Sequence, residues 1–313
     1  QKFVFDTCKK NYLDKGVTLF WLDEAEPEYT AVDFENYRYH KGAALEVANA
    51  YPVGYAKAFY DGMKAEGREE IVNLIRCAWA GSQRYGALAW SGDVPSTFDA
   101  FRYQLAAGLN MGLAGITWWT ADIGGFHGGN IHDDKFRELL TRWFQFGAFC
   151  PVMRLHGDRD PHDQPQLVAS GGGFCPPTGA DNEVWSYGPE AEAVMTRYIK
   201  MRYRLKPYIK EAMKAAHEKG TPVIRPVFYD FPADKAAWDA HEEYMFGSDI
   251  LVAPVLYEGA RTKEVYLPAG CRWVEAETGK VFDGGCAVTV DAPLEIIPLF
   301  VREGADALDM IRG

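Results

Sequence analysis

The chain has 313 residues and a net charge of −11, with 48% hydrophobic, 14% aromatic and 25% charged residues. The negative charge argues against a nucleic acid or an anionic membrane surface as a partner. No run of about twenty apolar residues is long and uninterrupted enough for a membrane span. A chain of this length can bury a substantial core and exceeds the size at which single cores usually divide, so we expect a globular protein with more than one domain.

Up to about residue 220, short apolar runs alternate with helical segments, the pattern of βα units around a parallel sheet. We predict strands at 17–22, 71–75, 88–90, 115–120 and 152–155. We predict helices at 45–66 (interrupted at Pro52), 98–112, 133–147 and 190–219, the last of them ended by Gly220. A (β/α)8 TIM barrel needs eight βα units, and only five strands are predicted here. We therefore expect residues 1–220 to be the carboxyl-terminal part of a TIM barrel, and either the barrel is incomplete or the missing strands lie upstream of Gln1.

After Gly220 the pattern changes to short apolar runs separated by glycine and proline turns. These runs are 222–228, 250–256, 263–267, 273–275, 287–290 and 296–301. Their regular spacing without a helical period predicts a small antiparallel β-sandwich over residues 221–313. The predicted fold class is thus α/β, a partial (β/α)8 barrel followed by a β-sandwich domain.

Six cysteines are scattered along the chain, without the paired spacing of a metal site. Several of them, such as Cys150, lie in apolar surroundings. We expect buried free thiols, which favours a reducing, cytoplasmic compartment, with a secreted or periplasmic location as the alternative. The oligomeric state is unknown from the sequence.

Charged or titratable residues follow four of the predicted barrel strands. Because the carboxyl ends of parallel strands meet on one face, these residues should converge at the mouth of the barrel. They are Asp23, Asp93, Asp122 and the pair Arg154 and His156.

Two carboxylates on either side of an anomeric carbon are the groups that hydrolyse glycosides. One of them has to be ionised and the other protonated. Burial beside Trp90 would favour the protonated form for Asp93. Asp23 would need polar neighbours instead, and Arg76 and Arg154 are the candidates.

The motifs around these residues resemble glycoside hydrolase family 31, the α-glucosidase and α-xylosidase family, over nearly the whole chain. The matching segments, in order, are Trp21-Leu22-Asp23 with Glu26, Arg76, Trp90-Ser91-Gly92-Asp93, Asp122 to Phe126, Arg142-Trp143-Phe144-Gln145, and Pro151, Arg154 and His156. Arg225 to Phe228 and Leu251 to Val255 look like the family's sequence after the barrel. Glu24 departs from the family pattern, which often has an apolar residue here, and we expect its side chain to turn away from Asp23.

The resemblance implies a retaining α-glycoside hydrolase of carbohydrate metabolism. It would release α-linked glucose or xylose from a non-reducing end through a covalent glycosyl-enzyme intermediate. Asp23 would be the nucleophile and Asp93 the acid/base, with Glu26 as a supporting polar neighbour. The expected sugar-binding residues are Arg76, Asp122 and His156, with Trp21, Trp90 and Phe126 as apolar walls. The partner would be an oligosaccharide or α-glycoside substrate, and the chemistry would need no metal and no organic cofactor.

Two other functions stay open. The chain could be an inactive or carbohydrate-binding fragment of such an enzyme, lacking the first barrel strands. It could also be a metallohydrolase if His127 or His156 bound a metal ion, although we interpret the segment from His127 to His132 as a polar loop over the barrel mouth. His162 is expected in a solvated loop, and Gly171 to Gly173 in a flexible one. Neither the choice between glucose and xylose nor the preferred linkage follows from the sequence.

Overall fold

The computed structural model describes residues 1–24, 36–162 and 179–313, together with the backbone of two short strands at Gln166–Leu167 and Phe174–Cys175. Glu26 and the glycines 171–173 therefore lie outside the described residues. Within the described part of the chain, no helix is long and apolar enough to cross a bilayer.

Helices and strands alternate through the first 219 residues. The helices are α1 (Lys2–Asn11), α2 (Ala44–Val47), α3 (Ala50–Ala65), α4 (Phe98–Leu113), α5 (Asp134–Gly147), α6 (Pro189–Arg204) and α7 (Lys206–Lys219). The strands are β1 (Phe20–Leu22), β2 (Arg38–Tyr39), β3 (Gly42–Ala43), β4 (Asn73–Ile75), β5 (Ala87–Trp90), β6 (Trp119–Thr120), β7 (Gln166–Leu167) and β8 (Phe174–Cys175).

Four of these strands form one parallel sheet in the order β1-β4-β5-β6. The sheet is the expected part of a barrel, and the described residues supply four of its strands. The predicted strand at 152–155 is wrong. This segment runs beside β6, but it is joined there only by long hydrogen bonds, 3.4 Å from the Val152 N–H to the Trp119 carbonyl and 3.3 Å from the Ile123 N–H to the Arg154 carbonyl. Among the described residues, Ala121 does not form the bonds to the backbone of Val152 and Arg154 that would complete a parallel ladder between these two segments.

Two predicted helices are divided in the structure. The segment 190–219 breaks at Leu205 into α6 and α7, because Pro207 has no N–H and is accommodated only in the first turn of a new helix. The segment 45–66 divides between α2 and α3, and Pro52 lies in the first turn of α3 for the same reason. Gly220 ends α7 as predicted, in the left-handed conformation with φ 69°.

The last third of the chain is the predicted antiparallel β-sandwich. Its elements are β9 (Ile224–Pro226), α8 (Val227–Asp230), β10 (Tyr244–Phe246), β11 (Ile250–Val252), β12 (Thr262–Leu267), β13 (Arg272–Glu275), β14 (Val281–Asp283), β15 (Cys286–Asp291), β16 (Leu299–Arg302) and α9 (Ala307–Arg312). Six strands form a sheet in the order β14-β13-β16-β11-β10-β9, and β12 pairs with β15 in a second sheet. Buried side chains of both sheets, among them Trp273, Phe300 and Val265, share one core. The strands β10 and β14 are additions to the sequence-based prediction.

Arg142 and Gln145 on α5 connect the two parts of the molecule. The Arg142 guanidinium is buried and donates hydrogen bonds of 2.7 Å to the Ile296 and Ala292 carbonyls, with longer ones to Pro293 and Ala260. Gln145 donates to the Leu294 carbonyl at 2.7 Å. Burial lowers the pKa of Arg142 to about 10. The side chains of Arg142 and Gln145 therefore join the barrel to the β-sandwich.

Candidate active site

The parallel sheet presents the predicted site residues along one edge. Asp23 follows β1, Arg76 follows β4, Asp93 comes three residues after β5, and Asp122 comes two residues after β6. Because all four strands run in the same direction, their carboxyl ends lie at the same edge. The parallel order of the four strands thus places the predicted residues together at one mouth of the barrel, as expected from the sequence.

Arg76 lies between the two carboxylates predicted to carry the chemistry. Its Nε donates to Asp23 Oδ1 at 2.9 Å, and one terminal nitrogen lies 2.8 Å from Asp23 Oδ1 and 3.6 Å from Asp93 Oδ2. Arg76 is thus the polar neighbour expected for Asp23. The surroundings of Asp93 differ from the expected apolar pocket, because its side chain is 30% exposed and faces this guanidinium.

The backbone after Asp23 turns sharply. Glu24 has a φ of 51°, in the left-handed region that side chains other than glycine seldom occupy. This turn directs the Glu24 N–H to Asp23 Oδ1, with an N–O distance of 2.8 Å. The Glu24 side chain is exposed, so its contact with the site is made by its backbone.

Asp122 is the most deeply buried carboxylate of the site. Arg154 donates a hydrogen bond to its Oδ1, whereas Oδ2 and one terminal nitrogen of Arg154 have no hydrogen-bond partner among the described residues. Burial raises the pKa of Asp122 to about 7; the guanidinium of Arg154 opposes this rise and the charge of Asp93 adds to it. Arg154, expected as a neighbour of Asp23, is therefore the ion-pair partner of Asp122.

Four rings line the space beside these carboxylates. The Trp21 ring centroid lies 5.6 Å from Trp90 and 5.0 Å from His156, both edge to face, and Phe126 lies 5.5 Å from His156. The Arg154 guanidinium lies 4.7 Å from the Trp21 ring centroid. Burial, and then the charge of Arg154, lowers the pKa of His156, which favours a neutral imidazole. The structure thus brings together all eight predicted site residues.

Of the two histidines considered as metal ligands, His127 is exposed, and His156 lies against the rings of Trp21 and Phe126. His132, in the same loop as His127, is also exposed, and His162 is held between the carboxylates of Asp158 and Asp160. Among residues 1–24, 36–162 and 179–313, no three histidine, cysteine, aspartate or glutamate side chains are grouped so that they could hold a metal ion.

Arg159 was missed by the sequence analysis. It stands in the polar run Asp158 to Asp163, which reads as a solvated loop, yet its side chain is fully buried. It donates hydrogen bonds to the carbonyls of Ile123 and Gly125, directly after Asp122. No local pattern distinguishes it from the exposed charges around it.

Both parts of the chain match profiles of a single protein family. The profile described as "Glycosyl hydrolases family 31 TIM-barrel domain" matches residues 1–212, and "Glycosyl hydrolase family 31 C-terminal domain" matches residues 220–305. The similar proteins include a protein described as an uncharacterized family 31 glucosidase, ORF2 of Pseudescherichia vulneris. It is 71% identical over 161 residues, which are 51% of this chain and 30% of that protein.

Longer matches cover almost the whole chain. The α-xylosidase of Saccharolobus solfataricus is 37% identical over 309 residues, 96% of this chain and 39% of that protein. The crystal structure of a family 31 α-xylosidase from a soil metagenome, complexed with xylose, superposes with a TM-score of 0.97 at 58% identity, covering 99% of this chain and 46% of that one. The chain thus spans less than half the length of these relatives. The chain belongs to glycosyl hydrolase family 31.

Proposed function

We propose that this chain carries the catalytic residues of a retaining α-glycoside hydrolase. The enzyme would release α-linked xylose or glucose from the non-reducing end of an oligosaccharide or α-glycoside through a covalent glycosyl-enzyme intermediate. The observation that carries the proposal is the position of Arg76, whose guanidinium lies against the carboxylates of both Asp23 and Asp93.

The spacing of the two carboxylates is compatible with a retaining mechanism. One Arg76 nitrogen is 2.8 Å from Asp23 Oδ1 and 3.6 Å from Asp93 Oδ2, so these two oxygens cannot be farther apart than the two distances added together. A retaining pair, with carboxyl groups about 5–5.5 Å apart, fits within this limit.

Each carboxylate has one role in each half of the reaction. In the first half, an oxygen of Asp23 forms a bond to the anomeric carbon while the bond from that carbon to the glycosidic oxygen breaks, and Asp93 gives its proton to the leaving oxygen. In the second half, Asp93 takes a proton from the water that attacks the anomeric carbon, and the bond to Asp23 breaks. The same residue must serve as acid and then as base because the two halves are chemical reversals of each other.

The remaining site residues would hold the sugar. Asp122 Oδ2 and a terminal nitrogen of Arg154 are buried and lack partners in the described part of the chain, so a sugar hydroxyl can donate to the oxygen and accept from the nitrogen. His156, kept neutral, can donate or accept a hydrogen bond. Trp21 and Phe126 flank His156, and with Trp90 they would exclude water from the faces of the ring.

The relatives favour xylose as the sugar that is released. The similar structure at 58% identity is described as an α-xylosidase complexed with xylose, and the Saccharolobus relative is named an α-xylosidase. We therefore expect an aryl α-xyloside to be hydrolysed faster than the matching aryl α-glucoside.

The test is an assay of this chain on that pair of substrates, beside its Asp23→Asn and Asp134→Asn variants. Asp134 is the matched control, because its carboxylate is 95% exposed on α5. We expect Asp23→Asn to abolish turnover and Asp134→Asn to leave it unchanged. A 2-fluoro-glycosyl fluoride should label Asp23, as located by mass spectrometry of the peptides.

The outcomes separate the possible functions. A label on any residue other than Asp23 would remove the nucleophile assignment. Saturable binding of xylose or glucose without hydrolysis would support a carbohydrate-binding fragment instead. Hydrolysis that stops when a chelator is added would favour the metallohydrolase.

A further inference from the structure

The side chain of Arg159 connects the two loops that carry sugar-binding groups in the proposed site. Its terminal nitrogens donate to the Gly125 carbonyl at 2.8 Å and to the Ile123 carbonyl at 2.9 Å, both in the turn that follows Asp122. One of them also lies 3.3 Å from the carbonyl of His156. One rigid guanidinium therefore spans both loops.

The other side of Arg159 is held by a second set of contacts. Its Nε donates to the Tyr187 hydroxyl at 3.1 Å, and the guanidinium lies 5.1 Å from the Phe136 ring centroid. Tyr187 in turn donates to Asn182, whose amide donates to the Gly157 carbonyl at 3.2 Å. The buried side chain therefore has a fixed position from which to hold the loops.

Glycines make room for this arrangement. A Cβ atom on Gly157 would come within 2.5 Å of an Arg159 terminal nitrogen, and one on Gly124 within 3.1 Å of the other. Gly157 also has a φ of 151°, a conformation that side chains rarely adopt. The guanidinium can thus lie directly against the backbone of both loops.

The turn held by Arg159 also meets the loop of the proposed acid/base. The Phe126 N–H donates to the Val94 carbonyl at 2.7 Å, next to Asp93, and the Phe126 carbonyl accepts from the Asp158 N–H at 2.9 Å. Movement of the turn would therefore change the distance from Asp122 to Asp93 as well as to His156.

We propose that Arg159 is a positioning residue, which fixes Asp122 relative to His156 and Asp93 without touching the sugar. The inference rests on the proposed function, because it assigns sugar binding to Asp122 and His156. Its five hydrogen-bond acceptors among the described residues are neutral: three carbonyls, a hydroxyl and an amide oxygen. Its charge therefore remains available to act on the site.

The charge of Arg159 should affect the pH dependence of sugar binding, which a purely structural arginine would not do. The positive charge of Arg159 lowers the pKa of Asp122 and that of His156, alongside the larger effects of burial and of Arg154. Removing it should raise the pKa of both groups. As the pH falls, sugar binding that needs an ionised Asp122 should then be lost at a higher pH in the variant than in the wild type. The charges of Asp93 and Arg154 act on Asp122 in both proteins.

The experiment compares Arg159→Lys, which keeps the charge, with Arg159→Met, which removes it. The matched controls are Arg142→Lys and Arg142→Met, because Arg142 is equally buried and also donates to backbone carbonyls, but at the junction with the β-sandwich. The dissociation constant for xylose is measured by calorimetry between pH 5 and pH 9, and KM and kcat are measured on the aryl α-xyloside.

We expect Arg159→Lys to weaken xylose binding about tenfold and Arg159→Met about a hundredfold, as for the loss of charge-assisted hydrogen bonds. The pH below which binding weakens should move upward in Arg159→Met and less in Arg159→Lys. The Arg142 variants should lose stability, but their affinity for xylose and the pH dependence of binding should stay as in the wild type. Tyr187→Phe removes one hydrogen-bond acceptor of Arg159 and leaves the arginine in place, so it should weaken xylose binding by roughly two- to tenfold. This variant tests the proposal if Arg159→Met does not fold.

The two proposals fail in different ways. If the wild type binds xylose but hydrolyses neither substrate, the proposed function is wrong while the binding data still test Arg159. If the Arg159 and Tyr187 variants bind xylose as the Arg142 variants do, with the same pH dependence, the positioning role is wrong.

Discussion

The carboxylate of Asp122 is completely buried, and its ion-pair partner Arg154 is 15% exposed. Among residues 1–24, 36–162 and 179–313, Oδ1 accepts a hydrogen bond from Arg154, while Oδ2 has no partner. A buried oxygen without a donor costs roughly 1–3 kcal/mol, so a ligand hydroxyl that donates to it would recover this energy. This pair therefore determines how the proposed sugar site responds to pH.

Substrate capture should weaken below about pH 7. The pKa of Asp122 is raised to about 7, chiefly by burial, so the carboxyl group becomes protonated as the pH falls through this value. A protonated Asp122 loses both the charge that pairs with Arg154 and one acceptor for the sugar. We expect kcat/KM for an aryl α-xyloside, which reports on the free enzyme, to fall on the acid side of pH 7.

Asp122→Asn should change that profile. The amide does not titrate, so the fall near pH 7 should disappear, and kcat/KM at pH 8 should be roughly 10- to 100-fold below the wild type through the loss of a charged acceptor. Asp134→Asn is the control for an exposed aspartate. A fall near pH 7 that persists in Asp122→Asn would assign it to another group.

Asp93→Ala should affect substrates according to their leaving groups. A poor leaving group needs a proton from the enzyme, so its turnover should fall roughly 10²–10⁴-fold. An activated aryl group departs without that proton and should lose much less. The measurement is kcat/KM across a series of aryl α-glycosides of decreasing leaving-group pKa. Equal losses across the series would contradict the acid role of Asp93.

Arg142→Met should weaken the junction between the barrel and the β-sandwich. The substitution leaves the buried carbonyls of Ala292 and Ile296 without their donor. We expect the free energy of unfolding to fall by about 3 kcal/mol or more, measured by denaturation in urea. Arg142→Lys should retain part of this energy. A loss below about 1 kcal/mol would show that the junction does not depend on this side chain.

Glu243→Gln should change how stability depends on pH. Glu243 is buried in the β-sandwich, where it accepts hydrogen bonds from the Tyr266 N–H, and burial raises its pKa to about 8. Between about pH 4.5 and 8 the folded state then holds a proton that the unfolded state releases, so this group lowers stability as the pH rises through that window. A glutamine has no such dependence.

The measurement for Glu243 is the free energy of unfolding of both proteins at pH 5 and pH 9. The free energy of unfolding of Glu243→Gln minus that of the wild type should be larger at pH 9 than at pH 5 by at least about 1 kcal/mol. Other groups titrate in both proteins and cancel in this comparison. An equal difference at the two pH values would show that Glu243 does not titrate as described.

The sequence predicted which residues come together at the strand ends more reliably than it predicted their partners. Asp23, Asp93 and Asp122 could be predicted because each one follows an apolar run, and parallel strands bring such ends together. Arg154 was assigned to Asp23 but pairs with Asp122. Arg159 looked like one charge in a solvated loop but is fully buried. An arginine side chain is long, and its partner depends on which distant backbone folds against it.

The sequence by itself determined most of the long helices and of the paired strands, the change to a β-sandwich after Gly220 and the candidate residues at the strand ends. Local patterns carry this information, because apolar periodicity and turn residues act over a few positions. The tertiary structure alone decided that Arg76 lies between Asp23 and Asp93, that Asp122 is buried with a pKa near 7, and that Arg159 joins two loops. Burial and the distances between charges arise only when segments far apart in the chain pack together, and they determine the electrostatics of the site.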